Sequence, residues 1–348
     1  MTHNSNKLWH LATPVLLMLC LTLFTSIGYA QKKGGNKGDK KTAPSWAPWV
    51  IKNYKPTKNS FQSVHIIDNQ TPLVPMKGTL EVDIQHRFGV INNGYDDFWG
   101  FFAPSNIRLG VNYAPINKLF VGVGITKNNK LVDGNLKYLL LQETKGQMPV
   151  SVAYYGNMAV DTRKDPDGSL FKYPTQRWSY FNQLIIGRKI TNKLSVMVAP
   201  SISHQNSVTG FYSKNDSTGK EIFQDMKHNH FAIALAARYK VTKTMSVVVN
   251  YDQPLTKHAT NNPDPNLSFG IEMNTSSHSF QFFFGNFYNI NPQANNLYNK
   301  NAPFAYNDVT KTHPNRQLDN PATPEDESLK VRGGRFVVGF IITRLWNY

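Results

Sequence analysis

Between residues 78 and 348 the connections between β-forming runs alternate short and long, and few folds account for that rhythm. The runs fall at 78–89, 106–114, 119–126, 135–142, 150–159, 178–189, 194–204, 229–240, 245–252, 267–274, 279–288 and 335–348. Connections near 115–119, 143–149, 190–194, 241–245 and 275–279 are short. Those after odd-numbered runs are mostly longer, the longest covering 205–228 and 289–334. Antiparallel strands with tight turns at one end and long loops at the other make a transmembrane barrel, and run lengths near the roughly 9 to 11 residues of a tilted spanning strand agree. The fold expected is therefore all-β: an antiparallel up-and-down transmembrane β-barrel of about 12 strands spanning 78–348, with both termini periplasmic. Three short turns, in 116–123, 190–198 and 241–249, repeat one device: a polar lysine-bearing cluster, then Leu or Met, then an alternating strand.

The last run, RFVVGFIITRLWNY, places Phe336, Val338, Phe340, Ile342, Trp346 and Tyr348 on one parity, hence on one face of a strand. Phe340, Trp346 and Tyr348 are the expected signal for barrel-assembly machinery, with the last two at the bilayer interface. Arg344 shares that parity and has to snorkel. Elsewhere parity separates a lipid face (Leu80, Val82, Ile84; Leu109, Val111, Tyr113) from a polar face. Charge on the lipid face costs ~2 to 4 kcal/mol at the midplane. The lumen candidates are accordingly Glu81, Asp83, Arg87, Arg108, Lys137, Arg238, Asp252 and Glu272. Run 178–189 does not sort, and its facing stays open.

Residues 1–30 carry Lys7, an apolar stretch from Leu11 to Ile27 and Gly28-Tyr29-Ala30, which reads as a signal peptide cleaved after Ala30 and implies export to the outer membrane. Cys20, the single cysteine, lies within it, so the mature chain is expected to have no disulfide and no thiolate chemistry. Lysines among glycines make 31–59 a flexible basic periplasmic leader, and 60–77 an extended segment or plug. A formal charge of +16 suits anionic lipid headgroups. Outer-membrane lipids and the assembly machinery are the expected partners, with a periplasmic or surface protein as a further one through the leader. Export argues against nucleic acid, no cofactor is expected, and the oligomeric state stays open.

Lumen charges of both signs fit either a narrow pore for small hydrophilic solutes, polarised by a transverse field, or a set of salt bridges that closes the interior. A channel or transport component is the first functional expectation, and a structural or assembly component of an envelope complex the alternative. A lipid hydrolase is the least favoured. Ser276, Ser277, His278 and Ser279, or Ser203 with His204, supply residue types for one, but neither set shows a group to orient the base, so no catalytic residue is assigned. His228 and His230 near Asp225 lack a fixed third ligand, so no metal site is assigned.

The stretches KGTLEVDIQHRFG (77–89), IRLGVNYAPINKLFVGVGITKNNKLVDGNLKYLLLQ (107–142) and QLIIGRKI (183–190) resemble an uncharacterised outer-membrane β-barrel family of Bacteroidota-type envelopes. Its most specific pieces are His86-Arg87-Phe88-Gly89 and the strand of Lys137 after Asp133-Gly134. The resemblance implies a fold and a cellular place, and no chemistry.

Overall fold

The alternating runs become twelve strands that close on themselves. They are β1 (Thr79–Val90), β2 (Asn106–Ile116), β3 (Leu119–Thr126), β4 (Leu131–Leu141), β5 (Ser151–Asp161) and β6 (Trp178–Lys189). The second half comprises β7 (Leu194–Gln205), β8 (Asn229–Lys240), β9 (Met245–Pro254), β10 (Asn266–Asn274), β11 (His278–Gly285) and β12 (Val337–Asn347). Each pairs antiparallel with its neighbour in sequence. β12 returns to β1 with Ile341 opposite Gln85 and Leu345 opposite Glu81, which leaves no free sheet edge. This computed structural model describes residues 55–58, 60–214, 221–258, 262–308 and 330–347. The expected signal peptide, most of the leader and Tyr348 lie outside the described residues.

The two ends of the barrel differ as the sequence predicts. On one side the connections are short: 117–118, 142–150, 190–193, 241–244 and 275–277. The other side carries 91–105, 162–177, 206–228, 255–265 and 286–336, with one exception in the tight β3–β4 turn at 127–130. That turn is closed by Asn129 and Lys130 at positive φ. β4 begins four residues earlier than run 135–142 predicts, because Asp133-Gly134 looks like a turn yet stays extended, paired with Gly124 and Val123 on β3. Run 279–288 ends early at Gly285, where the chain leaves the wall.

Side-chain alternation sorts the wall. Leu109, Val111 and Tyr113 of β2 are exposed on the outside while Arg108 and Asn112 are buried inside, and β1, β8 and β10 follow the same rule. β6, left open by its sequence, turns Ser179, Phe181, Gln183 and Ile185 inward. Two large apolar side chains thus face the lumen, and they do so because the interior is not empty there.

Candidate functional site

The lumen is filled from the short-turn side by residues 61–74. The segment climbs into the barrel and turns back through a two-rung hairpin, His65–Ile66 paired with Asn69–Gln70. It then descends to β1. Phe61, Ile66 and Ile67 pack with Phe181, Ile185, Met197, Ala199, Ala234, Ala236 and Val248 of β6 to β9 in the main buried cluster. Small alanines on β7 and β8 leave room for it. Ile67, at the tip, has φ of 50°, a left-handed backbone that costs a β-branched residue of order 1 to 3 kcal/mol and therefore requires the surroundings to hold it.

Polar groups of seven strands complete that hold, Arg238 of β8 through Gln62 and Glu272 of β10 through Ser63 among them. The Ile67 amide donates to Gln281 Oε1 and Gln281 Nε2 donates to the His65 carbonyl, both at 2.8 Å. Asn69 donates to Asp252 Oδ1 at 2.6 Å and Asn250 Oδ1 at 2.9 Å, and accepts from Gln183 at 2.7 Å. The Lys137 ammonium donates to the Val64 carbonyl and Gln70 Oε1 at 2.9 Å and the Thr71 carbonyl at 3.4 Å. A buried lysine with three donors needs three acceptors, and the segment supplies all of them. Arg87 pairs with Asp68 at 2.9 Å and lies over the Phe287 ring at 4.9 Å.

All eight lumen candidates are buried. Arg108 is gripped by Asp83 at 3.0 Å and Asp133 at 2.7 Å, and Arg238 pairs with Glu272. Gly110 and Gly124 make room for the first group, since a Cβ on either would collide with Asp83 or Arg108. Arg87, Lys137 and Asp252 meet the inner segment, and Glu81 accepts from Asn112 at 3.2 Å. The three arginines are matched pair by pair, whereas Glu81, Lys137 and Asp252 are held by neutral amides and carbonyls. Asp133 is absent from the sequence candidates because run 135–142 starts two residues after it, although it shares parity with Lys137. Asp68 and Asn69 carried no pattern that could have singled them out.

From the long-loop side, the connection 286–336 sends in a short helix, α1 (Pro292–Tyr298), capped by the Asn291 side chain. Gln293 donates to Asn157 at 2.7 Å and Asn295 to Asp68 at 2.9 Å, so helix and inner segment touch within the lumen. Between them and the wall of β1 to β6 remains a polar cavity of about 40 Å³. Buried atoms of its lining residues, His65 Nε2, Glu81 Oε2 and Gln183 Oε1, have no hydrogen-bond partner among the described residues. At about 10 to 15 Å³ per water the space takes roughly three waters.

The serine and histidine sets do not assemble. Ser203 points inward while neighbouring His204 bonds Asn229 and Asn206. His278 meets Ser277 at 3.2 Å and Arg344 at 2.7 Å. Arg344, the misfit of the closing strand, lies over Trp346 at 4.9 Å. Ser279 is buried in the lumen against Ser63. His228 bonds the Gln205 carbonyl, whereas His230 stacks on His258 at 5.5 Å. The backbone N–H of Lys227 donates to His258 Nδ1 at 3.0 Å, and burial, with Lys300 and Lys227 nearby, holds the His258 imidazole below its usual pKa.

A closed antiparallel barrel with an apolar outer face and a polar interior defines a membrane-spanning β-barrel protein. The chain belongs to the family described as Membrane bound beta barrel domain (DUF5777), which matches residues 61–346. That span takes in the inner segment along with the wall. Among solved structures the chain is similar to the NanC porin, at 9% identity over 77% of this chain and 99% of that one, with a TM-score of 0.41. It is also similar to the COG4313 outer membrane channel from Pseudomonas putida F1, at 13% identity over 79% of this chain and 97% of that one, TM-score 0.40. LpxR from Salmonella typhimurium is similar at 8% identity over 78% and 100% of the two chains, TM-score 0.31. No curated protein matches the sequence.

Proposed function

We propose that the protein is an outer-membrane channel for small hydrophilic solutes, held closed by its own residues 61–74, with the short turns on the periplasmic side. It acts without catalysis. The observation that carries this reading is the inner segment itself: it is bonded to seven strands of a polar lumen, and the cavity left between it, α1 and β1 to β6 takes roughly three waters. A solute larger than water passes when the segment or the helix moves. The polar lining of Asn, Gln and paired charges then suits hydroxylated or amide-bearing solutes. Phe340, Trp346 and Tyr348 remain the proposed assembly signal; Phe340 and Trp346 sit on the outer wall of β12.

Planar-bilayer conductance tests it. The full chain should give small or rare steps, and a chain lacking residues 31–77 should give larger and frequent ones. Silence from both, with heat-modified gel mobility proving that each barrel has folded, defeats the channel reading. The same occlusion favours a second reading in that event, a structural or assembly component of an envelope complex whose leader holds a partner.

A further inference from the structure

The connection 91–105 carries a cluster of aromatic residues that the lumen does not use. Tyr95 and Phe102 are 78% and 80% exposed, and Phe98, Trp99 and Phe101 are exposed as well. Their rings hold one another: Phe98 lies 5.4 Å from both Trp99 and Phe102, and Tyr95 lies 6.0 Å from Trp99.

The backbone beneath them is rigidly built. Phe98 and Trp99 sit at φ of 52° and 54°, a left-handed conformation that bulky residues adopt only under constraint. The constraint is visible. Asp97 accepts from the Gly100 amide at 2.7 Å and from Asn93 at 2.8 Å, while the Gly89 amide on β1 donates to the Gly100 carbonyl at 2.9 Å. A Cβ on Gly100 would lie 2.5 Å from the Gly89 carbonyl oxygen, so the loop is seated against the strand end as closely as a backbone can be. Strain is being spent to aim five apolar rings outward, away from the core.

What covers them follows from continuity. Phe101 packs on Phe88 at 4.5 Å; Phe88 packs on His86 at 4.3 Å and approaches Phe340 of β12 at 6.0 Å. Phe88, His86 and Phe340 belong to the outer wall at the seam where β12 meets β1. The loop cluster therefore extends the lipid-facing surface without a break, and Asn92, Asn93 and Asp96 give it an exposed polar edge. Aromatic groups with one apolar and one wet side are stable at the border between acyl chains and headgroups. We propose that residues 91–105 form a membrane foot, inserted into the bilayer interface at the long-loop end of the β12–β1 seam.

The test uses the full chain with Cys20→Ser and a single new cysteine, Phe102→Cys, carrying a polarity-sensitive fluorophore. It is reconstituted in phosphatidylcholine vesicles with lipids bearing a nitroxide just below the headgroup. Quenching should exceed at least threefold that of the same label at Ser169→Cys, on the exposed 162–177 connection of the same side. In a Phe98→Ser/Trp99→Ser background, with the barrel shown folded by heat-modified mobility, it should fall at least twofold. Equal quenching at the two label positions, or no change in that background, overturns the proposal. Energy transfer between labelled copies that persists on dilution with lipid also overturns it, because the cluster then binds a second copy of this chain.

Discussion

The two inner walls of the barrel are built on opposite principles. Along β1, β2 and β4 the lumen face holds Glu81, Asp83, Arg108, Asp133 and Lys137, with the cavity of about 40 Å³ left in front. Along β6, β7 and β8 it holds Phe181, Ile185, Met197, Ala199, Ala234 and Ala236, packed directly on residues 61–74. The apolar wall supplies the burial that draws the segment in; the charged wall permits few arrangements of it, since a buried charge tolerates few geometries. Most of the apolar burial and most of the charge thereby lie on opposite sides of one pore, with Gln183 and Arg238 adding polar contacts on the apolar side.

The largest effect is expected from breaking the charged wall alone. Arg108→Met leaves Asp83 and Asp133 facing each other unmatched and should cost about 3 to 5 kcal/mol in urea unfolding of the reconstituted barrel. If the loss is within experimental error, those carboxylates are hydrated and the wall is open. Breaking the apolar side, Ile66→Ala should loosen the segment by about 3 kcal/mol, as for other buried isoleucines, and be read as faster proteolysis within 61–74 while the barrel stays intact. Lys137→Met, which crosses the comparison by removing one contact of the charged wall while Arg87–Asp68 stays, should cost about 2 kcal/mol through the Gln70 Oε1 and Thr71 carbonyl it leaves unpaired, the Val64 carbonyl keeping the Thr71 amide, and raise conductance. Should Lys137→Met loosen the segment more than Ile66→Ala, the charges and not the burial set its affinity.

The smallest effect is a pH dependence in the loops. The His258 imidazole is neutral where it accepts the Lys227 amide, and its folded pKa lies below the ordinary 6.5. The stability of that contact is therefore complete above about 6.5 and is lost as pH falls through the depressed value. Intrinsic base-catalysed exchange slows as pH falls, so the check is the protection factor of the Lys227 amide, which should drop between pH 7 and pH 5. His258→Asn should abolish that drop.

Much of the wall was legible in advance because its rules are local. A spanning strand between lipid and a polar interior must alternate, so Leu109 against Arg108 or Phe269 against Ser268 declares a face without knowledge of any partner. Where the rule fails, something tertiary has intervened. β6 resisted sorting since Phe181 and Ile185 face an apolar guest, and Asp133 was missed when Gly134 imitated a turn that the sheet keeps extended.

By itself, then, the sequence determined twelve strands, their two unlike ends, their order and the facing of most side chains, since each depends on neighbours within one or two strands. Only the tertiary structure decided that residues 61–74 and α1 meet inside the barrel and that Asp68, Asn69 and Asn295 complete its polar network. These contacts join residues up to 227 positions apart and follow no period. Their energy comes from matching one particular set of buried donors and acceptors, which exists once the wall has closed around them.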